Sequence, residues 1–254
     1  MAELSRKTVI LVLAGIVVFG SLVWGIRWAT FARPPLPEAV AALASDERVT
    51  VSTAPWLTFA PTRAASGTGF IFYPGGRVDP RAYAGLMRTI AEAGYLVVVP
   101  SMPVNMAIFN TKAANPIIAA HPEIERWVIG GHSVGGTAAA LYVSAHPDRM
   151  AGLAIWSSYP ADNSDISGLD LPVILLYGGN EVRVTDESVG ARKRLLPPGT
   201  QYIRIEGGDH HQFGAYELTT EDDLATISRE SQHAQILTAT LELLRGVRDG
   251  RSEP

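Results

Sequence analysis

The chain contains no cysteine. That excludes a disulfide framework, a thiolate metal site and a cysteine nucleophile. Charge is also sparse. Only 18% of the 254 residues are Asp, Glu, Lys or Arg, and the formal net charge is −4. Lysine occurs only at Lys7, Lys112 and Lys193. No basic block interrupts the sequence, so nucleic acid is not an expected partner. The 24 glycines and 17 prolines follow no collagen-like period and read as turn punctuation. No internal repeat and no second domain is visible. What the chain has in quantity is apolar residues, at 47%. That is too many for a disordered chain and enough for one well-buried domain.

One long uncharged run stands apart. Residues 8–26, TVILVLAGIVVFGSLVWGI, make a helix about 28 Å long, close to the roughly 30 Å hydrocarbon core of a bilayer. Arg6 and Lys7 precede it, Arg27 and Arg33 follow it, and Trp24 and Trp28 mark one interface. A secretory signal peptide has a shorter apolar core and a small-x-small cleavage site, which Thr30-Phe31-Ala32 does not supply. The expectation is a single uncleaved transmembrane anchor. Basic residues balance across it. The α-amino group alone tips the amino terminus inwards and the bulk of the chain to the extracytoplasmic side. The organisation expected is a tail over 1–7, the anchor over 8–26, a stiff Pro-rich spacer over 27–37, and one α/β domain over 38–254.

From residue 49 onward, short apolar runs alternate with helical patterns. Runs at 49–51 and 56–59 read as a strand pair, and 69–73, 95–99, 126–130, 153–156, 173–177 and 202–205 as further strands. Helices are expected over 81–93, 137–145, 186–195 and 231–244. The strands are mostly apolar throughout, without polar alternation. That implies a largely parallel sheet covered on both faces.

The segment Gly131-His132-Ser133-Val134-Gly135 is Gly-x-Ser-x-Gly placed directly after a strand and before a helix. The pentapeptide alone is a weak signal, but this context is what a nucleophile elbow needs. Side chains two residues either side of the serine would collide in the sharp turn, so glycine fills both places. The hydroxyl then projects from the edge of the sheet, and the helix N-terminus offers free N–H groups to a developing oxyanion. A serine needs a base. His121 and His146 precede prolines at helix ends, His132 lies within the elbow, and His233 falls in the last helix. The loop Gly207-Gly208-Asp209-His210-His211 follows the last strand and supplies His210 or His211. The order Ser133, Glu181, His210 is nucleophile, acid, base. Glu181 follows Leu176-Tyr177-Gly178-Gly179-Asn180 at the same sheet edge. Asp162 and Asp165 are the alternative position for the acid, and Asp186 is expected to cap the next helix. Of the two oxyanion donors, one is the N–H of Val134. The other lies in Tyr73-Pro74-Gly75-Gly76-Arg77, where Gly76 is preferred to Gly75. Met106 and Phe109 follow a central strand and suggest contact with an apolar acyl group.

Five segments together, FYPGGRVDPRAY, AEAGYLVVVP, IGGHSVGG, LLYGGNE and EGGDHHQFG, resemble an α/β-hydrolase, and within that superfamily the small dienelactone-hydrolase-like group. The resemblance covers roughly residues 49–244. It implies a mostly parallel sheet of about eight strands and a serine, acid and histidine triad acting on esters or related acyl compounds. The Gly-Gly-Asp-His spacing selects His210 as the base. The dienelactone hydrolases use a cysteine nucleophile where this chain has Ser133. Tyr73-Pro74 stands where many relatives have histidine-glycine, and Glu181 replaces the commoner aspartate. The stretch 157–171 is too short for a large cap domain. The expectation is a membrane-anchored serine esterase taking a small-molecule acyl substrate, with no cofactor and no metal. Acyl transfer by the same triad and a non-catalytic binding module are the alternatives.

Overall fold

Strands β3 (Thr68–Tyr73), β4 (Leu96–Val99), β6 (Gly152–Trp156) and β7 (Val173–Gly178) are buried along their whole length. Continuous apolar sequence therefore becomes strand covered on both faces. The computed structural model describes residues 6–63, 66–218 and 224–250. With β1 (Val49–Ser52), β2 (Leu57–Pro61), β5 (Arg126–His132) and β8 (Gln201–Ile205), these strands form one sheet of eight in the order β1-β2-β4-β3-β5-β6-β7-β8. The pairs β1–β2 and β2–β4 are antiparallel, and every other pair is parallel. This is the α/β-hydrolase fold implied by the resemblance.

The period of two along each strand divides the core. Phe70, Phe72, Val97, Val99, Trp156 and Leu176 face one side, under α3 (Ala84–Glu92) and α7 (Arg229–Asp249). Ile71, Val98, Ile129, Ile155 and Leu175 face the other, under α4 (Ala114–Ala120) and α5 (Val134–Ala145). The α7 stripe is Ile236, Ala239, Leu243, Leu244 and Val247, at helical spacing. Phe72 packs against Tyr83 and Trp156 at ring distances of 4.9 and 4.6 Å. Truncating so enclosed a phenylalanine to alanine costs about 3–5 kcal/mol.

Two helices begin differently from the expectation. The region 81–93 opens with a 3₁₀ turn, Pro80–Tyr83, where Asp79 accepts from Arg81 N–H at 2.9 Å. Asp186 is not a cap. Thr185 caps α6 (Asp186–Arg192) in a reciprocal pair with Ser188, and Asp186 Oδ1 instead accepts from the Tyr177 hydroxyl at 2.6 Å.

The N-terminal helix α1 runs over Arg6–Thr30, longer at both ends than 8–26. Its portion Arg6–Trp28 is long and apolar enough to cross a membrane, and its most apolar stretch is not buried in the protein. The residues after it, expected as a stiff spacer, run flush along the domain. Arg33 N–H donates to Arg77 O at 2.7 Å, Asp79 N–H to Arg33 O at 3.1 Å, Leu36 N–H to Ala215 O at 2.9 Å and Glu217 N–H to Pro34 O at 3.1 Å. The end of α1 is thereby fixed beside the loops at the carboxyl edge of the sheet.

Candidate active site

The loops after β3, β4, β5, β7 and β8 converge on one cleft of about 460 Å³. Ser133 stands at its floor, between β5 and α5, with φ 53° and ψ −127°. A non-glycine residue there costs about 1–3 kcal/mol, which the surroundings must hold in place. They do so by backbone approach. A Cβ on Gly131 would lie 2.4 Å from the Gly135 carbonyl carbon, and one on Gly135 would lie 2.2 Å from Tyr73 O. Only glycine fits at either position, so β3, β5 and α5 meet without side chains between them. Ser133 N–H donates to Trp156 O at 2.9 Å.

His210 reaches Ser133 Oγ with Nε2 at 3.1 Å. Its Nδ1 lies 3.1 Å from Glu181 Oε2 and 2.5 Å from Ser157 Oγ. The Ser157 hydroxyl donates to the same Glu181 oxygen at 2.6 Å, and Glu181 Oε1 accepts Gly178 N–H at 2.6 Å. The Glu181 side chain is fully enclosed. A buried carboxylate needs such partners, because an unpaired one would carry a large desolvation cost. With Ser133 donating to Nε2, Nδ1 carries the ring proton and faces both Ser157 and Glu181. The acid therefore meets the base directly and also through one hydroxyl. Ser157 itself has φ 45° and is completely buried. Sequence reading missed it. The signal was its position, directly after β6, which is where Asp162 and Asp165 were weighed as acids.

Those two aspartates are elsewhere. Asp162 pairs with Arg192 at 3.1 Å on the surface, and Asp165 accepts Ser167 N–H at 3.0 Å. Asp209 is buried, but its oxygens accept the N–H groups of His211, Gln212 and Leu224 and so shape the base loop. Among the described residues no three His, Asp or Glu side chains form a group that could hold a metal ion.

His132, inside the elbow, has a role of its own. Its Nε2 meets His210 O at 3.0 Å and its Nδ1 meets the Tyr83 hydroxyl at 2.8 Å. A carbonyl can only accept, so Nε2 carries the proton and Tyr83 donates to Nδ1. Burial, then the charges of His210 and His211, hold this ring well below the usual 6.5. It stays neutral beside the base. Tyr83 Oη in turn accepts Gly75 N–H at 3.0 Å. The Gly75 donor is therefore occupied, while the N–H groups of Gly76 and Val134 have no acceptor among the described residues. Both line the cleft.

The cleft takes in Met106 but not Phe109, which is 65% exposed on the turn Ala107–Asn110. The Phe109 assignment is therefore corrected. The loop places Ala107 in the core instead, and Phe109 falls on the outer side of the turn Ala107–Asn110. Phe31, Arg33, Arg77 and Arg183 line the mouth. Nothing in the sequence marks these four for the mouth: Phe31 and Arg33 lie beyond the expected anchor, Arg183 lies in a loop without a motif, and Arg77 ends the loop picked out only for its glycines.

A family model described as the alpha/beta hydrolase family matches residues 69–234. No curated protein matches the sequence. Solved structures resemble it in fold. Carboxylesterase CesB (YbfK) of Bacillus subtilis is 12% identical, with TM-score 0.58, over 82% of this chain and 95% of that one. Est1E from Butyrivibrio proteoclasticus is 11% identical, with TM-score 0.55, over 78% and 99%. A CIB-like hydrolase from Thermoplasma acidophilum is 13% identical, with TM-score 0.59, over 80% and 99%.

Proposed function

The chain belongs to the alpha/beta hydrolase family, and from that premise we propose that it is a membrane-anchored serine hydrolase of carboxylic esters or related acyl compounds. The observation that carries this reading is the hydrogen-bonded line from Ser133 Oγ through His210 to Glu181, ending on a serine in the elbow conformation. Its esterase character is supported by the fold likeness to esterases, and the anchor by the length and composition of α1.

Ser133 Oγ attacks the acyl carbon while its proton passes to His210 Nε2. The carbonyl oxygen becomes an oxyanion held by the Gly76 and Val134 N–H groups. Collapse of the tetrahedral intermediate breaks the bond to the leaving alcohol, which takes the proton back from His210. Water then gives a proton to His210 as its oxygen attacks the acyl carbon. As the second tetrahedral intermediate collapses, the bond to Ser133 Oγ breaks, Oγ takes that proton from His210 and the acid leaves. The imidazolium formed in each half faces Glu181 and Ser157 on one side and the neutral His132 ring on the other, 4.8 Å between ring centres. No like charge opposes it there. A fluorophosphonate probe is expected to label the wild-type chain at Ser133 and to leave Ser133→Ala unlabelled. An unlabelled wild type, folded by circular dichroism, removes the reading.

A further inference from the structure

The mouth of the cleft and the end of α1 are one structure. The α1 helix ends at Thr30, and the next residue, Phe31, already lines the cleft. Asn105 Nδ2 donates to Thr30 O at 2.8 Å, and Arg77 Nη2 donates to Trp28 O at 2.7 Å. The Arg77 guanidinium also stacks on Trp28, 4.5 Å from its ring centre. Trp28 is the interfacial indole of the apolar helix. Phe31 is three positions further on, about 5 Å along a helix, and a headgroup layer is roughly 5–7 Å thick. With α1 across a bilayer, the mouth lies at headgroup depth.

Two properties of the rim suit that place. Beside the end of α1, Val104, Ile108 and Phe109 are 42%, 39% and 65% exposed on consecutive turns, an apolar patch left open among the described residues. Three arginines, Arg33, Arg77 and Arg183, line the cleft, and among the described residues no Asp or Glu lines it. A guanidinium matches the geometry of a phosphate or carboxylate.

Resting on the serine-hydrolase reading, we propose that the cleft takes its substrate laterally from the membrane that α1 spans. The substrate is an acyl ester of an amphiphile with an anionic headgroup: the ester enters past Phe31 to Ser133 while the headgroup stays among the arginines.

The test uses the full chain in phosphatidylcholine vesicles and three fluorogenic or chromogenic esters. One is water-soluble p-nitrophenyl butyrate. The others are long-chain esters carried in the bilayer, with a phosphoglycerol or a phosphocholine head. The wild type is expected to cleave all three, and the phosphoglycerol ester at least tenfold faster in kcat/KM than the phosphocholine one. Ile108→Ser with Phe109→Ser is expected to keep butyrate turnover within twofold and to lose at least fivefold on the vesicle-borne esters. Turnover of butyrate with no turnover of either vesicle-borne ester overturns the inference. Equal rates on the two heads overturn the headgroup assignment. Failure on all three esters, with no fluorophosphonate labelling, is failure of the hydrolase reading itself, and the substrate falls with it. A readout independent of chemistry uses the absence of native cysteine. A bimane on Phe109→Cys is expected to be quenched by brominated lipids, and one on Gln201→Cys, at the opposite edge of the sheet, is not. An unquenched label at 109 removes the membrane from the mouth.

Discussion

The two edges of the sheet solve the same problem differently. At the amino edge, backbone with positive φ is given to glycine: Gly67 before β3, Gly94 before β4 and Gly250 after α7. At the carboxyl edge one glycine, Gly207 after β8, adopts it, and the other places are given to residues with side chains: Arg77 after β3, Val104 and Asn105 after β4, Ser133 after β5 and Ser157 after β6. Each edge also has a cleft, about 380 Å³ between Pro172, Gly199 and Glu242 at the amino end and about 460 Å³ over Ser133 at the carboxyl end. Size does not separate them. What separates them is stored strain, about 1–3 kcal/mol for each non-glycine residue in that region, together with hydrogen-bonded chains that aim side chains at a common point. The amino edge is built for stability and the carboxyl edge accepts a cost in stability for aim.

Breaking the carboxyl edge at its centre has the largest expected effect. Ser133→Ala is expected to lower ester turnover at least a thousandfold with the thermal midpoint unchanged or raised, since triad members act as a unit. Steady-state rates and a melting curve check both halves.

Glu181→Gln keeps the shape and removes the charge facing the imidazolium, and is expected to cost at least a hundredfold in kcat. Ser157→Ala, which removes the intermediate hydroxyl but leaves Nδ1 near Glu181, is expected to cost about tenfold, in line with one lost hydrogen bond. Asp162→Asn and Asp165→Asn should stay within fivefold. A crippled Asp162→Asn beside a near-normal Glu181→Gln would exchange their roles.

Acid acts on the same edge. The His233 ring, on the first turns of α7, is held from the usual 6.5 down to about 4, first by burial and then by Arg229. A depressed histidine favours the neutral folded state, so its contribution is complete above pH 6.5 and is lost as pH falls towards 4. The stability lost over that window is roughly 3 kcal/mol. Thermal midpoints at pH 7.5 and pH 4.5 are expected to fall with acid, and His233→Gln to flatten the fall.

The smallest effect compares the edges directly. Ser133→Gly relieves strain and is expected to add about 1 kcal/mol. Gly94→Ala, at φ 98°, is expected to remove about 1–2 kcal/mol. For a domain of this size each is a shift of a few degrees in Tm, opposite in sign. Shifts of the same sign would end the distinction between the edges.

The strands and the elbow were legible because their information is local: apolar runs for β3, β4 and β7, and glycines flanking Ser133 in a strand-to-helix context. The structure brings Ser133, Glu181 and His210 together because each follows a parallel strand, and chain order along such a sheet nearly fixes which loops meet. What was not legible is carried by main chain or by non-local contact. The sequence ranks Gly76 above Gly75 without showing what occupies either N–H, and it is the Tyr83 hydroxyl eight residues away that takes the one on Gly75. Thr185 outcompetes Asp186 as cap because Ser188 reciprocates. Ser157 has no motif, and its place depends on β6 lying between β5 and β7. The binding of residues 33–36 along the domain uses backbone N–H and C=O groups, which every sequence possesses.

The His132 contact gives the base two points of support. The backbone carbonyl of His210 is bonded to the His132 ring, and the His210 side chain is bonded to Ser133, the next residue in the chain. In the reaction proposed above the side-chain bond breaks and reforms as protons move, but the carbonyl bond has no part in the chemistry. The imidazole then has a fixed bearing, its backbone held where the elbow holds it. The loop need not find its position again between the two half-reactions, so the entropy of placing the base is lost once, on folding, and not in every cycle.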